Sequence, residues 1–113
     1  MNTPTRPLLS QIAFSILFAL SLKPRHGYEL MQQVEHDSGG RIKLGPGSLY
    51  GTIKILSEEH LIEELPLDSG ERRRYYRLTK KGWDRLNAEV AYYDEIARLA
   101  RERHLLSQEI EAA

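Results

Sequence analysis

A chain of 113 residues holds one compact domain and is too short for two ordinary ones. With 41% hydrophobic and 28% charged residues it reads as globular, which excludes a disordered or fibrous chain, and the absence of cysteine excludes disulfides and thiolate metal sites. A net charge of zero excludes a strong diffuse attraction to nucleic acid, so any such contact has to be local.

Met1 to Pro7 is polar and proline-containing, the character of a flexible N-terminal tail and not of a signal peptide. Leu8 to Leu22 predicts a first helix, with Leu9, Ile12, Ile16 and Ala19/Leu20 at helical spacing. Phe14, Leu17 and Phe18 make it apolar on nearly all sides, as expected of a helix covered by its own core and by a partner chain. Its apolar run, Ile12 to Leu22, is too short to span a bilayer, so the expected location is the cytoplasm.

Lys23-Pro24 stops this helix, because proline disfavours a helical residue before it. A second helix is predicted from near His26 to about Asp37, closed by Ser38-Gly39-Gly40. Arg41 to Leu44 alternates polar and apolar and suits a very short strand. Gly45-Pro46-Gly47 opens a third helix with the stripe Leu49, Ile53 and Leu56, ending near His60. Leu61 to Leu65 and Arg73 to Leu78 are strand candidates joined by a turn around Asp68-Ser69-Gly70. Thr79 is a good N-cap for a last helix that starts at Lys80 and runs past His104.

The resulting fold class is mainly α with a small β-hairpin. Its order is that of a winged helix-turn-helix with the hairpin as the wing. The expected division is a tail over 1–7, a winged helix-turn-helix DNA-binding domain over 8–79 and a C-terminal dimerisation helix over 80–113.

Charge is unevenly spread. From Arg72 to Arg85 there are seven basic residues and one acid, whereas Ser57 to Glu71 holds six acids and neither lysine nor arginine. Arg72, Arg73 and Arg74 follow the predicted turn, where arginines suit phosphate contact or a narrow minor groove. A charged, protected edge strand gives the same run by itself. On the third helix the side away from the stripe carries Gly47, Gly51, Lys54 and Ile55, flanked by Ser48 and Tyr50. Two exposed glycines cost roughly 1 kcal/mol each relative to alanine, a cost that close backbone approach to a major groove would offset. Ser48 and Tyr50 can donate to phosphates, and Lys54 can reach a phosphate or a guanine edge. The same Gly-Pro-Gly-Ser stretch also fits a plain helix start. Ile55 fits either a thymine-methyl contact or an isolated surface position.

His26, His36, His60 and His104 show no metal-ligand spacing, so no metal or cofactor is expected. No nucleophile elbow, glycine-rich phosphate loop or paired-acid constellation occurs, so the chain does not read as an enzyme.

Three stretches then occur in order: His26-Gly27-Tyr28-Glu29-Leu30; Gly47-Ser48-Leu49-Tyr50 with Lys54 and Leu56; and Arg74 to Gly82. Together they resemble the PadR family of transcription regulators over about residues 8 to 105. The resemblance implies a winged helix-turn-helix whose last helix pairs two subunits, often with help from the first. It implies that Ser48, Tyr50 and Lys54 belong to the recognition helix, Arg72 to Arg74 to the wing, and Tyr28 to a position near the DNA backbone. The length resembles that of the short-form members, which lack a larger C-terminal domain. One departure is His60, where the family usually has glycine and where a left-handed histidine is mildly strained.

Two stripes run along the last helix: Trp83, Leu86, Val90, Tyr93 and Ala97, and Tyr92, Ile96, Leu99, Leu106 and Ile110. A small domain cannot bury both, so one is expected to face a second copy. A symmetric homodimer sets two recognition helices roughly 34 Å apart and implies a pseudo-palindromic operator. Family members often respond to small aromatic or drug-like compounds near the dimer interface, which makes Phe14, Phe18, Trp83, Tyr92 and Tyr93 candidates for an effector pocket, with core or interface packing as the alternative role. The functional expectation is a sequence-specific double-stranded DNA-binding regulator acting as a repressor. The alternative is a winged-helix module for protein–protein contact.

Overall fold

A computed structural model of the chain describes residues 7–66, 70 and 72–106. Residues 1–6, most of the Asp68-Ser69-Gly70 turn and Ile110 lie outside the described residues.

The first helix, α1 (Gln11–Leu20), starts later than its apolar run because Ser10 caps it, its side chain accepting from the Ala13 N–H at 3.1 Å. A two-residue strand β1 (Arg25–His26) leads directly into α2 (Gly27–Asp37). His26 caps α2 in a reciprocal box with Glu29. Helix α3 (Pro46–Glu58) follows, then β2 (Ile62–Glu64), β3 (Tyr75–Leu78) and the long α4 (Lys80–Glu102). Thr79 caps α4 through the Gly82 N–H.

The antiparallel sheet has the order β1-β3-β2, with Arg25 opposite Tyr76 and Ile62 opposite Leu78. The expected strand at Arg41–Leu44 is absent. The free edge of β3 is paired by Arg25–His26 instead, and Ile42 and Leu44 pack half-buried on the core from an irregular segment. Alternation there reflects one-sided packing, not a ladder.

The core forms around α1. Ile16 and Leu17 are fully buried with Leu30, Val34, Leu49, Leu56 and Leu61. The stripe expected of α3 is the buried one: Leu49, Ile53 and Leu56. On α4 only the first half is packed, through Gly82, Leu86 and Glu89. Glu89 accepts from the Leu9 N–H at 3.1 Å and from Arg85 at 3.4 Å, and Arg85 also donates to the Pro7 carbonyl at 3.0 Å. This buried ion pair ties the approach to α1 onto α4.

Three helices end in the same left-handed closure. Gly39 after α2, His60 after α3 and His104 after α4 have φ of 63°, 63° and 61°. In each case the next N–H bonds back to a carbonyl of the last turn, at 2.8 to 2.9 Å. His60 thus takes the conformation its position demands of a glycine. His104 does the same for α4, which ends at Glu102 and does not run past His104 as its sequence pattern predicts. Among the described residues, no helix is long and apolar enough to cross a membrane.

Candidate nucleic-acid interface

An open cleft of about 470 Å³ lies where the start of α2, the exposed side of α3 and the approach to β3 converge. Its walls are His26, Gly27, Tyr28, Tyr50, Arg72, Arg73 and Arg74. Of the residues singled out in the sequence, the structure therefore brings Tyr28, Tyr50 and the three arginines together. Ser48 and Lys54 are exposed on α3 but do not line the cleft. Ile55 is exposed elsewhere, in a groove shared with Pro7, Leu8, Leu9 and Arg85.

Tyr28 and Tyr50 are large aromatics left 62% and 49% exposed, an arrangement that offers two phenols to a polar partner. His26 is buried beneath them, with its ring edge-on to Tyr75 (centroids 5.1 Å apart) and its Nε2 3.3 Å from Arg73 Nη1. Tyr76, next to Tyr75 on β3, is buried in the core. Burial, followed by the Glu64 carboxylate and Tyr50, pushes its phenol above the ordinary value of 10.0, while Arg74 pulls the other way.

The basic patch is partly consumed inside the chain. Arg77 pairs with Glu63 at 2.8 Å across the hairpin, Arg74 lies 3.7 Å from Glu64, and Lys80 and Arg85 pair with Asp84 and Glu89. The acidic block of β2 and the basic block of β3 face each other, so the local excess of positive charge is smaller than the linear sequence implies. Two wall residues, His26 and Gly27, were not among the candidates. Their signal was the His-Gly-Tyr stretch itself, of which only the tyrosine had been selected.

A second concavity lies between α1 and α4. A groove of about 410 Å³ is lined by Gln11, Phe14, Ser15, Phe18, Ile42, Val90 and Tyr93. Phe14 stacks on Phe18 (5.6 Å, 16°) and meets Tyr93 edge-on (5.2 Å, 67°), and Tyr92 meets Tyr93 in turn (5.3 Å, 74°). Trp83, grouped with these aromatics in the sequence, does not line the groove. Ten residues before Tyr93 on a helix rising 1.5 Å per residue, it stands about 15 Å away along the axis. Beyond Leu86, the apolar side chains Val90, Tyr92, Tyr93 and Ile96 remain exposed, so among the described residues the far half of α4 is only partly covered. Neither stripe is buried as a whole. Polar spacing along that half is supplied by Arg98, which holds the Glu95 carboxyl below its ordinary value by hydrogen bonding and also reaches Glu102. Among the described residues no group of His, Asp or Glu is arranged to hold a metal ion.

Residues 16–88 match the family described as the transcriptional regulator PadR-like family. A 37.1 kDa protein of transposon TN4556 from Streptomyces fradiae is 40% identical over 75 residues, covering 66% of this chain and 21% of that protein. The transcriptional regulator YqjI of Escherichia coli (strain K12) is 32% identical over 72 residues, covering 64% of this chain and 34% of YqjI. The chain thus spans about a fifth and a third of the lengths of these two relatives. Among solved structures, a PadR family transcription regulator from Clostridium difficile R20291 superposes with a TM-score of 0.71 at 26% identity, over 82% of this chain and 97% of that one.

Proposed function

This chain belongs to the PadR-like family of transcriptional regulators, a family of regulators and not of enzymes, and from that premise we propose that it binds double-stranded DNA sequence-specifically as a homodimer. One observation carries the reading: Tyr28, Tyr50 and Arg72 to Arg74 converge on one open cleft beside the solvent-exposed side of α3. In this reading α3 enters the major groove with Ser48, Tyr50 and Lys54, and the three arginines follow the adjacent backbone as a wing. Tyr28 meets a phosphate from the start of α2.

The dimer is supported by the exposed apolar side chains of α4, which are continuous with Phe14 and Phe18 of α1 through Tyr93. Two copies joined there would present paired recognition helices to a pseudo-palindromic operator, with repression by occlusion as the outcome, in the cytoplasm. The groove at Phe14, Phe18 and Tyr93 fits a small aromatic or drug-like effector, whose binding next to the subunit junction would alter helix spacing.

Fluorescence anisotropy of the chain against its own promoter DNA and a scrambled duplex, across a salt series, tests the reading. The expected result is preferential binding of the promoter by two chains per site, with affinity falling as salt rises. Charge reversal at Arg73 and Arg74 should weaken binding broadly, whereas Lys54→Ala should alter preference between operators. Equal weak binding to promoter and scramble, followed by no preferred sequence in a selection from random duplexes, would refute the reading in favour of a protein partner.

A further inference from the structure

We propose that Gly27 is a positioning residue of the cleft, holding the Tyr50 phenol in the orientation used on DNA, a proposal that rests on the DNA-binding reading above. Three observations converge on it. A Cβ at Gly27 would lie 2.2 Å from Tyr50 Oη, 2.9 Å from its Cζ and 3.3 Å from Leu49 Cδ2. The phenol therefore lies across the first residue of α2, in the space a side chain would fill. Tyr50 is also 49% exposed, so the core does not fix its ring, and this backbone seat is what limits where the hydroxyl can go.

The second observation is that the backbone does not itself call for glycine. The glycines with positive φ among the described residues are Gly39, Gly40 and Gly70. Gly27 is the first residue of a regular helix, where alanine is intrinsically better by up to roughly 1 kcal/mol. The missing Cβ is explained by the neighbour and not by the chain conformation. The obstacle is moreover the far end of a rotatable side chain, so alanine can be accommodated by swinging Tyr50 away. Fold and interface are then separable: the substitution moves a contact residue without dislodging the helix.

The third is the placement of the adjacent residue. His26 contacts Arg73 through its ring, at 3.3 Å. Two successive residues thus seat one group from α3 and one from the segment before β3, and all four line the same cleft.

The test is a double-mutant cycle of Gly27→Ala and Tyr50→Ala, with operator affinity read by anisotropy on a duplex selected from random sequence, and thermal melting read in parallel without DNA. Gly27→Ala is expected to melt close to wild type yet bind the operator about tenfold more weakly, and to change affinity less than about twofold when Tyr50 is already alanine. Tyr50→Phe, which removes the atom nearest the new Cβ, should soften the effect of Gly27→Ala. Wild-type affinity in Gly27→Ala, an equal loss in both Tyr50 backgrounds, or a large fall in melting temperature in both would each overturn the proposal while leaving the DNA reading intact. A wild-type chain that selects no sequence overturns that reading and the proposal with it.

Discussion

Replacing Gly82 by alanine tests the packing that fixes α4 to the hairpin. Gly82 is the third residue of α4 and is buried against the junction of α3 and β2. A Cβ there would stand 2.0 Å from the Leu61 carbonyl oxygen and 3.0 Å from its carbon. Unlike the obstacle at Gly27, this one is backbone and cannot swing aside. An ordinary C···O approach is about 3.3 Å, so the helix start and Leu61 must separate by roughly 1 Å. That movement strains three bonds in one place: Thr79 N–H to Leu61 O (3.1 Å), Gly82 N–H to Thr79 Oγ1 (2.9 Å) and Thr79 Oγ1 to His60 O (2.6 Å). Overpacking of this kind costs about 1–3 kcal/mol, and loosening a hydrogen bond about 1 kcal/mol more. Alanine's better helix propensity returns at most about 1 kcal/mol. The net is a loss of about 2 kcal/mol, which for a domain of this size lowers the melting temperature by about 8–12 °C. Far-ultraviolet circular dichroism at fixed chain concentration measures it, since the proposed pairing of two copies would make melting concentration-dependent. A Gly82→Ala chain that melts at or above wild type would refute the placement of α4 against Leu61.

Glu89→Ala should cost about 3 kcal/mol in urea denaturation, because it leaves the mostly buried Arg85 guanidinium and the Leu9 N–H without their carboxylate; a shift below about 1 kcal/mol would show the pair to be dispensable. Burial raises the Tyr76 phenol in the folded chain, so the neutral form is favoured by folding; the associated stability is present below pH 10.0 and is lost as pH rises through the folded value. Alkaline unfolding followed by dichroism should accordingly be less steep in Tyr76→Phe than in wild type, and equal steepness would exclude Tyr76 as its source. If two copies pair through the exposed apolar side chains of α4, as proposed, Ile96→Glu should yield monomers in sedimentation at concentrations where the unsubstituted chain pairs; an unchanged dimer would move the subunit contact elsewhere.

Most elements were legible because their signals are local. The apolar stripe of α3, the cap at Thr79, the stop at Lys23-Pro24 and the glycines after Asp37 each act within a turn or two of the residue concerned. The left-handed position of His60 was implied by the family resemblance, in which glycine is usual there, and not by a local signal. The reading failed where local alternation had two explanations. Arg41 to Leu44 alternates because one side packs on the core, and a sequence window cannot tell this from a ladder partner. It also failed at the end of α4, where the apolar pattern continues beyond the point at which His104 turns the chain. Which candidate residues come together was not legible in the sequence: Tyr28, Tyr50 and Arg72 to Arg74 meet in one cleft, Ser48 and Lys54 are exposed on α3 outside its walls, and Trp83 stands apart from the groove at Phe14, Phe18 and Tyr93.

By itself the sequence determined the succession of helices and strands and the residues that face the core, since periodicity and capping are properties of short stretches. Only the tertiary structure decided which charges remain available, because Arg77 meets Glu63 fourteen residues away and Glu89 meets the Leu9 N–H eighty residues away. It alone decided that β1 closes the sheet edge and that Tyr50 occupies the space over Gly27. These are contacts between elements, set by how helices and strands pack in three dimensions, and no periodicity within one element encodes them.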